Sequence, residues 1–248
     1  AGQVVGMLAA LGISGITVYY RPNDCLISSG DYLVYITYRP VHGQVRDINR
    51  YTVSAIIGGE GCTVTFLGIV RDDPDQTAAV LRSAMAGNFD LLLVSGGSSK
   101  GDRDFVVDTI EALGGKVLLH GISIKPGKPT ILASLEGRPI FGLPGHPLSC
   151  IMVTFRFVLP LVKRLAGLTD LSTPTTRATL TASTPSSLGI EEYVGVSLDK
   201  RSDGLLATPI FTKSAAISPL SMAKGFIVIP AASEGWEAGE DVEVHLIG

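Results

Sequence analysis

Charge is scarce in this chain of 248 residues: 17% of them are Asp, Glu, Lys or Arg, against about 25% in an ordinary soluble domain. With 20 basic and 23 acidic residues and a formal net charge of −3, there is no basic stripe for a nucleic acid to bind. No run of five like charges occurs that could form a tail. Long apolar runs are missing too. A spanning helix needs about 18 consecutive apolar residues, and the longest candidate, Ile151 to Val162, is shorter and carries Arg156 near its centre; no membrane partner is expected. Cysteine is sparse, with Cys25, Cys62 and Cys150 far apart and no C-x-x-C pair, which excludes a disulfide framework and a zinc site. Each lies in or beside an apolar run, as a buried thiol in a reducing cytoplasm does.

What the chain does have is glycine: 29 of them, beside 14 prolines and 46% hydrophobic residues. Gly and Pro together stay below the roughly 25–30% of disordered chains, so these glycines are expected to serve turns and close approaches. The opening stretch, Val4–Leu11, reads as the apolar face of a helix, and the chain is expected to be a fragment of a longer protein.

Short apolar runs then alternate with helical periods. Strands are predicted at Ile16–Tyr20, Cys25–Ser28, Thr63–Gly68, Leu91–Val94, Lys116–His120, Ile131–Ser134 and Pro139–Phe141, and helices at Asp47–Ile57, Pro74–Met85, Phe105–Leu113 and Pro147–Leu165. That alternation implies an α/β fold, a mostly parallel sheet covered by helices on both faces. After Leu168 the pattern changes: a Thr-rich linker is followed by strand-like runs without a long helix, read as a small barrel-like β domain. The expected division is 1–168, linker 169–177, and 178–248.

In an open parallel sheet ligands bind beyond the carboxyl ends of the strands, and the informative loops all follow predicted strands. The first runs Ser95-Gly96-Gly97-Ser98-Ser99-Lys100-Gly101-Asp102-Arg103-Asp104. Its glycines permit close approach of backbone to ligand, and the next helix offers free N–H groups to an anion. Asp102 and Asp104 either complement the helix dipole or share a Mg²⁺ with the ligand's oxygens. The second, Lys125-Pro126-Gly127-Lys128-Pro129, holds two ammonium groups in a stiff frame suited to phosphates. The third, Gly142-Leu143-Pro144-Gly145-His146-Pro147-Leu148-Ser149, is a strand–turn–helix junction lacking a G-x-S-x-G elbow. Ser28-Ser29-Gly30-Asp31 and Arg71-Asp72-Asp73-Pro74 follow two other strands; Asp73 reads as an N-cap, and Arg46, Asp47 and Asn49 invite the same explanation.

Together and in this order, these segments resemble the molybdopterin molybdotransferase family, MoeA of bacteria and the E domain of gephyrin. Gly43-Gln44-Val45-Arg46-Asp47 with Asn49-Arg50-Tyr51, Leu67 to Pro74, Pro185 to Gly189 and Lys213 to Pro219 add to the likeness. The resemblance implies a molybdopterin-binding (MogA/MoaB-like) α/β domain followed by a small β domain. It also implies Mg²⁺-dependent insertion of molybdate into adenylylated molybdopterin with release of AMP, in a homodimer. Carried over, it assigns Asp73, Asp104 and Lys125 to catalysis and Asp31, Asp73 and Asp104 to the metal. Substrate binding falls to Gly96, Gly97, Ser98, Ser99, Gly101, Asp102, Lys125, Lys128, Pro144, Gly145, His146 and Ser149. Two positions depart from the family pattern: Tyr32 stands where Glu is usual, and His146 where Asn is usual. Alternative readings are a non-catalytic pterin- or nucleotide-binding sensory or scaffold module of the same family, and a CinA-like nucleotide pyrophosphatase.

Overall fold

A computed structural model describes residues 2–97, 105–202, 204–211 and 220–247. Its first part runs α1 (Gly2–Ala10), β1 (Asn23–Ser29), a short parallel pair β2 (Leu33–Val34) and β3 (Val45–Arg46), α2 (Asn49–Gly59), β4 (Thr63–Val70) and α3 (Pro74–Ala86). There follow β5 (Leu91–Gly96), α4 (Phe105–Ala112), β6 (Lys116–His120), β7 (Ile124–Lys125), β8 (Ile131–Leu135) and β9 (Arg138–Leu143). The predicted helix from Pro147 to Leu165 is present as α5 (Pro147–Val153), a π-helical turn at Thr154–Val158 and α6 (Leu159–Leu165). The turn has a local cause: Pro160 has no N–H to give four residues back, so the helix widens by one residue just ahead of it.

The first sheet has the order β4-β1-β5-β9-β8-β6. Its first four strands are parallel and β8 alone runs against its neighbours. Side chains alternate between its faces with period two. Leu26, Leu91, Leu93 and Phe141 pack with α2 and the α5–α6 helix. Cys25, Ile27, Leu92, Val94 and Ile140 pack with α3 and α4. β5 is buried along its whole length, as a strand covered on both faces must be. This is the expected three-layer α/β arrangement.

The second part runs β10 (Thr175–Leu180), β11 (Thr184–Pro185), β12 (Glu191–Arg201), β13 (Gly204–Pro209), β14 (Gly225–Ile229), β15 (Gly235–Trp236) and β16 (Asp241–Leu246). Strands β13-β10-β16-β14-β12 close on themselves through the β12–β13 pairing, a small five-stranded barrel. It is filled by Leu180, Val196, Ala207, Ile227, Val242 and Val244. The barrel does not hang free of the first sheet's layers. β7 pairs in parallel with β12, and Tyr193 and Phe226 share a core cluster with α5 and α6.

Three expectations change. No strand forms at Ile16–Tyr20, whose backbone pairs with no strand among the described residues; that stretch is tied down instead by Tyr20 Oη donating to Asp90 (2.6 Å) and by the Tyr19 ring lying on Gly167. The expected linker is partly strand: β10 starts at Thr175, because Thr175–Thr179 pair with Asp241–His245. Helix α2 begins at Asn49 rather than Asp47. Among the described residues no helix is long and apolar enough to cross a membrane.

Candidate functional site at the strand ends

The parallel strands finish level with one another. Ser29 pairs with Val70 on one side and Gly96 on the other, and Ser95 pairs with Leu143. From β1 the chain leaves toward α2 on one face, and from β5 toward α4 on the other. Departing loops of opposite direction leave a crevice between these two strands, the switch point where α/β sheets take ligands.

Glycine lets the crevice walls touch. Gly96 has φ +93°, and a Cβ there would lie 2.1 Å from the Ser29 carbonyl oxygen. Gly97 (φ +75°) would drive a Cβ to 2.7 Å from Val106. A Cβ on Gly145 would come 3.3 Å from Tyr32 Oη and 3.7 Å from Gly96 Cα. Backbone is thus the surface offered at both loops, after β5 and after β9.

A polar net holds the loops in place. Ser28 Oγ donates to Asp47 Oδ2 (2.6 Å), while Asp47 Oδ1 accepts from Arg50 N. Ser29 Oγ donates to Asp72 Oδ1 (3.0 Å), and Asp72 N donates to Asp31 Oδ1 (3.3 Å). Asn49 Nδ2 donates to Ser95 Oγ and to the Gly145 carbonyl, both at 2.9 Å. Asn49 is buried, and its Oδ1 has no partner among the described residues; an orphaned buried acceptor at a strand end is a place for a ligand donor or a water. Replacing Asn49 with alanine is expected to cost about 1–2 kcal/mol, since it strips two acceptors of their donor, and a lowered urea midpoint would register it.

The structure brings together Gly96, Gly97, Pro144, Gly145, His146, Asp31 and Asp73 on this edge. Asp73 is the N-cap of α3, with Oδ1 accepting from Gln76 N at 2.8 Å. His146 precedes α5 and makes no side-chain cap; Ser149 is buried within that helix. The turn from Lys125 to Pro129 reaches the same edge, because β8 enters where β9 ends, and Gly127 packs on Val153 of α5. Lys128 is exposed, whereas Lys125 Nζ is paired with Glu192 of β12 at 2.9 Å. Ser98, Ser99, Gly101, Asp102 and Asp104 lie outside the described residues. Asn49, expected to cap a helix start, instead donates across the strand ends, and Ser95, with no part of its own expected, is one of its acceptors. The available signal was the serines closing otherwise apolar strands.

For a divalent cation, the described residues contain no group of three potential ligands. Asp31 and the Asp72-Asp73 pair are adjacent through the Asp72–Asp31 bond. That fits Mg²⁺, which takes one or two carboxylates and fills the rest with waters and phosphate oxygens.

Residues 25–164 match the family described as "Probable molybdopterin binding domain", and residues 177–247 match the "MoeA C-terminal region (domain IV)". The molybdopterin molybdenumtransferase of Bacillus subtilis is 30% identical over 245 residues, 98% of this chain and 57% of that protein. The protein of the same name from Nostoc is 34% identical over 167 residues, 66% of this chain and 38% of its own length. Among solved structures, a molybdopterin biosynthesis MoeA protein from Pyrococcus horikoshii superposes with TM-score 0.87 at 33% identity. That match covers 99% of this chain and 59% of the other. The chain therefore spans less than three fifths of the length of these relatives. With its molybdopterin-binding fold followed by the domain IV region, the chain belongs to the MoeA family, as a C-terminal portion of it.

Proposed function

We propose that this chain binds adenylylated molybdopterin at the strand-end crevice and, within a longer homodimeric cytoplasmic protein, takes part in inserting molybdate with release of AMP. The observation that carries the reading is the β1–β5 switch point, where Gly96 and Gly97 present bare backbone beside the orphaned Asn49 Oδ1. The names of the relatives supply the substrate class. The division into a ligand-binding domain and a β domain, between Leu168 and the start of β10 at Thr175, belongs to the same proposal.

In this reading the loop from Gly96 to Asp104 and the Lys125 and Lys128 ammonium groups hold the phosphates, with Pro144, Gly145, His146 and Ser149 forming the opposite wall. Ser29, Asp47 and Asn49 keep the walls in register. Mg²⁺, held by Asp31, Asp73 and Asp104 with phosphate oxygens, would neutralise charge on the phosphoanhydride. Molybdate is substrate. The chain's own part is positioning and electrostatic complementarity, with no covalent intermediate on the protein.

Asp104→Asn and Lys125→Ala are each expected to weaken binding of adenylylated molybdopterin at least tenfold by calorimetry. Unchanged affinity in both would remove the site. For the longer protein, AMP release requiring both molybdate and Mg²⁺ is the expected result, and its absence favours a binding-only role.

A further inference from the structure

Tyr32 lies across the crevice that the proposed function uses, and this inference rests on that reading. Its ring covers Gly30, whose Cβ position would be 3.2 Å from Tyr32 Cε1, and its hydroxyl reaches the Gly145 backbone at the end of β9. The side chain therefore spans from the end of β1 to the end of β9, past Gly96 of the strand between them. The main chain of Tyr32 is anchored, its carbonyl accepting from Val45 N at 2.9 Å. The hydroxyl makes no hydrogen bond among the described residues.

The side chain is exposed, and its hydroxyl, held over glycine backbone, is a donor that a ligand oxygen can take over from water. A phenol keeps its proton at neutral pH. Asp31 and Asp72 already place negative charge on one side of the crevice. A third carboxylate at position 32 would repel an anionic ligand, whereas a neutral donor attracts it without a bridging cation.

We propose that Tyr32 is a specificity-determining residue of this site, its neutral hydroxyl donating a hydrogen bond to an anionic oxygen of the ligand seated in the glycine-lined crevice. The consequence is a binding step less dependent on divalent metal than a carboxylate at this position would allow.

The test is calorimetric titration of the 248-residue chain with AMP, in EDTA and in excess Mg²⁺, for wild type, Tyr32→Phe, Tyr32→Glu and Lys125→Ala. Tyr32→Phe keeps the ring and its packing and is expected to bind about tenfold more weakly in both buffers. Tyr32→Glu is expected to lose more than Tyr32→Phe in EDTA and to recover in Mg²⁺. Wild-type affinity in Tyr32→Phe, with affinity lost in Lys125→Ala, overturns the assignment of Tyr32 alone. No loss in either overturns the proposed site itself. Wild-type affinity of Tyr32→Glu in EDTA also overturns the assignment.

Discussion

Gly96→Ala is expected to destabilise the fold by about 4 kcal/mol, read as a lowered urea midpoint, and to abolish ligand binding in whatever fraction stays folded. Two independent costs add at this position. The backbone sits at φ +93°, where an L side chain is strained, and the new methyl would lie 2.1 Å from the Ser29 carbonyl oxygen. Neither neighbour can yield cheaply. Ser29 is in register with Val70 as well as Gly96, and its Oγ is held by Asp72. Relief requires β1 and β5 to part at their carboxyl ends, the walls of the crevice. Gly189→Ala, at a turn glycine with φ +84° and open space around it, separates the two costs: it carries backbone strain alone, about 1 kcal/mol. Equal losses for the two variants would show that the close approach at Gly96 contributes nothing.

Asp24→Asn is expected to stabilise the protein by about 2 kcal/mol at pH 8 and to destabilise it by about 1 kcal/mol at pH 3.5, where only the cost of the amide remains. Asp24 lies at the opposite, amino end of β1, fully buried. Its Oδ2 accepts from the Cys62 thiol at 2.9 Å, and its Oδ1 has no partner among the described residues. Burial pushes its pKa from 3.8 up to about 6, with the nearby Asp90 charge adding to the rise. Because the folded value lies above the unfolded one, the native state binds the proton more tightly. Stability from this group is complete below the unfolded value and is lost as pH rises through about 6. The shift corresponds to about 3 kcal/mol, and the asparagine amide, lacking an acceptor, offsets roughly 1 kcal/mol of the gain. Urea midpoints from pH 3.5 to 8 check this, and a variant curve parallel to wild type would refute the assignment of that slope to Asp24. Burial, and then the same carboxylate, raise the Cys62 thiol far above its ordinary value, which makes Cys62 a poor nucleophile.

Local sequence was enough for most of the framework. The wholly apolar run at Leu91–Val94 marked a strand buried on both faces, and Asp73-Pro74 marked the start of α3 at the residue where it begins. Both signals depend on neighbours along the chain. Ile16–Tyr20 carries the same kind of β-branched and aromatic pattern and forms no strand, because a strand exists only where a partner backbone lies beside it. The barrel strands were legible one by one from their apolar runs. Their closure, and the addition of β7 to β12, depended on pairings across the chain.

By itself, then, the sequence determined the layered α/β class, the β-rich tail and the order of glycine, lysine and aspartate loops that marks the MoeA family. Each of these is written in periodicity or in contiguous motifs. Only the tertiary structure decided what those loops do to one another. Asn49 meets Ser95 and Gly145 across 46 and 96 residues of chain, Gly96 abuts Ser29, and Tyr32 crosses from Gly30 to Gly145. Such contacts follow from strand order, β4-β1-β5-β9, which brings the loops to one edge. Strand order is set by how two apolar faces are covered at once, a property of the whole core that no local window contains.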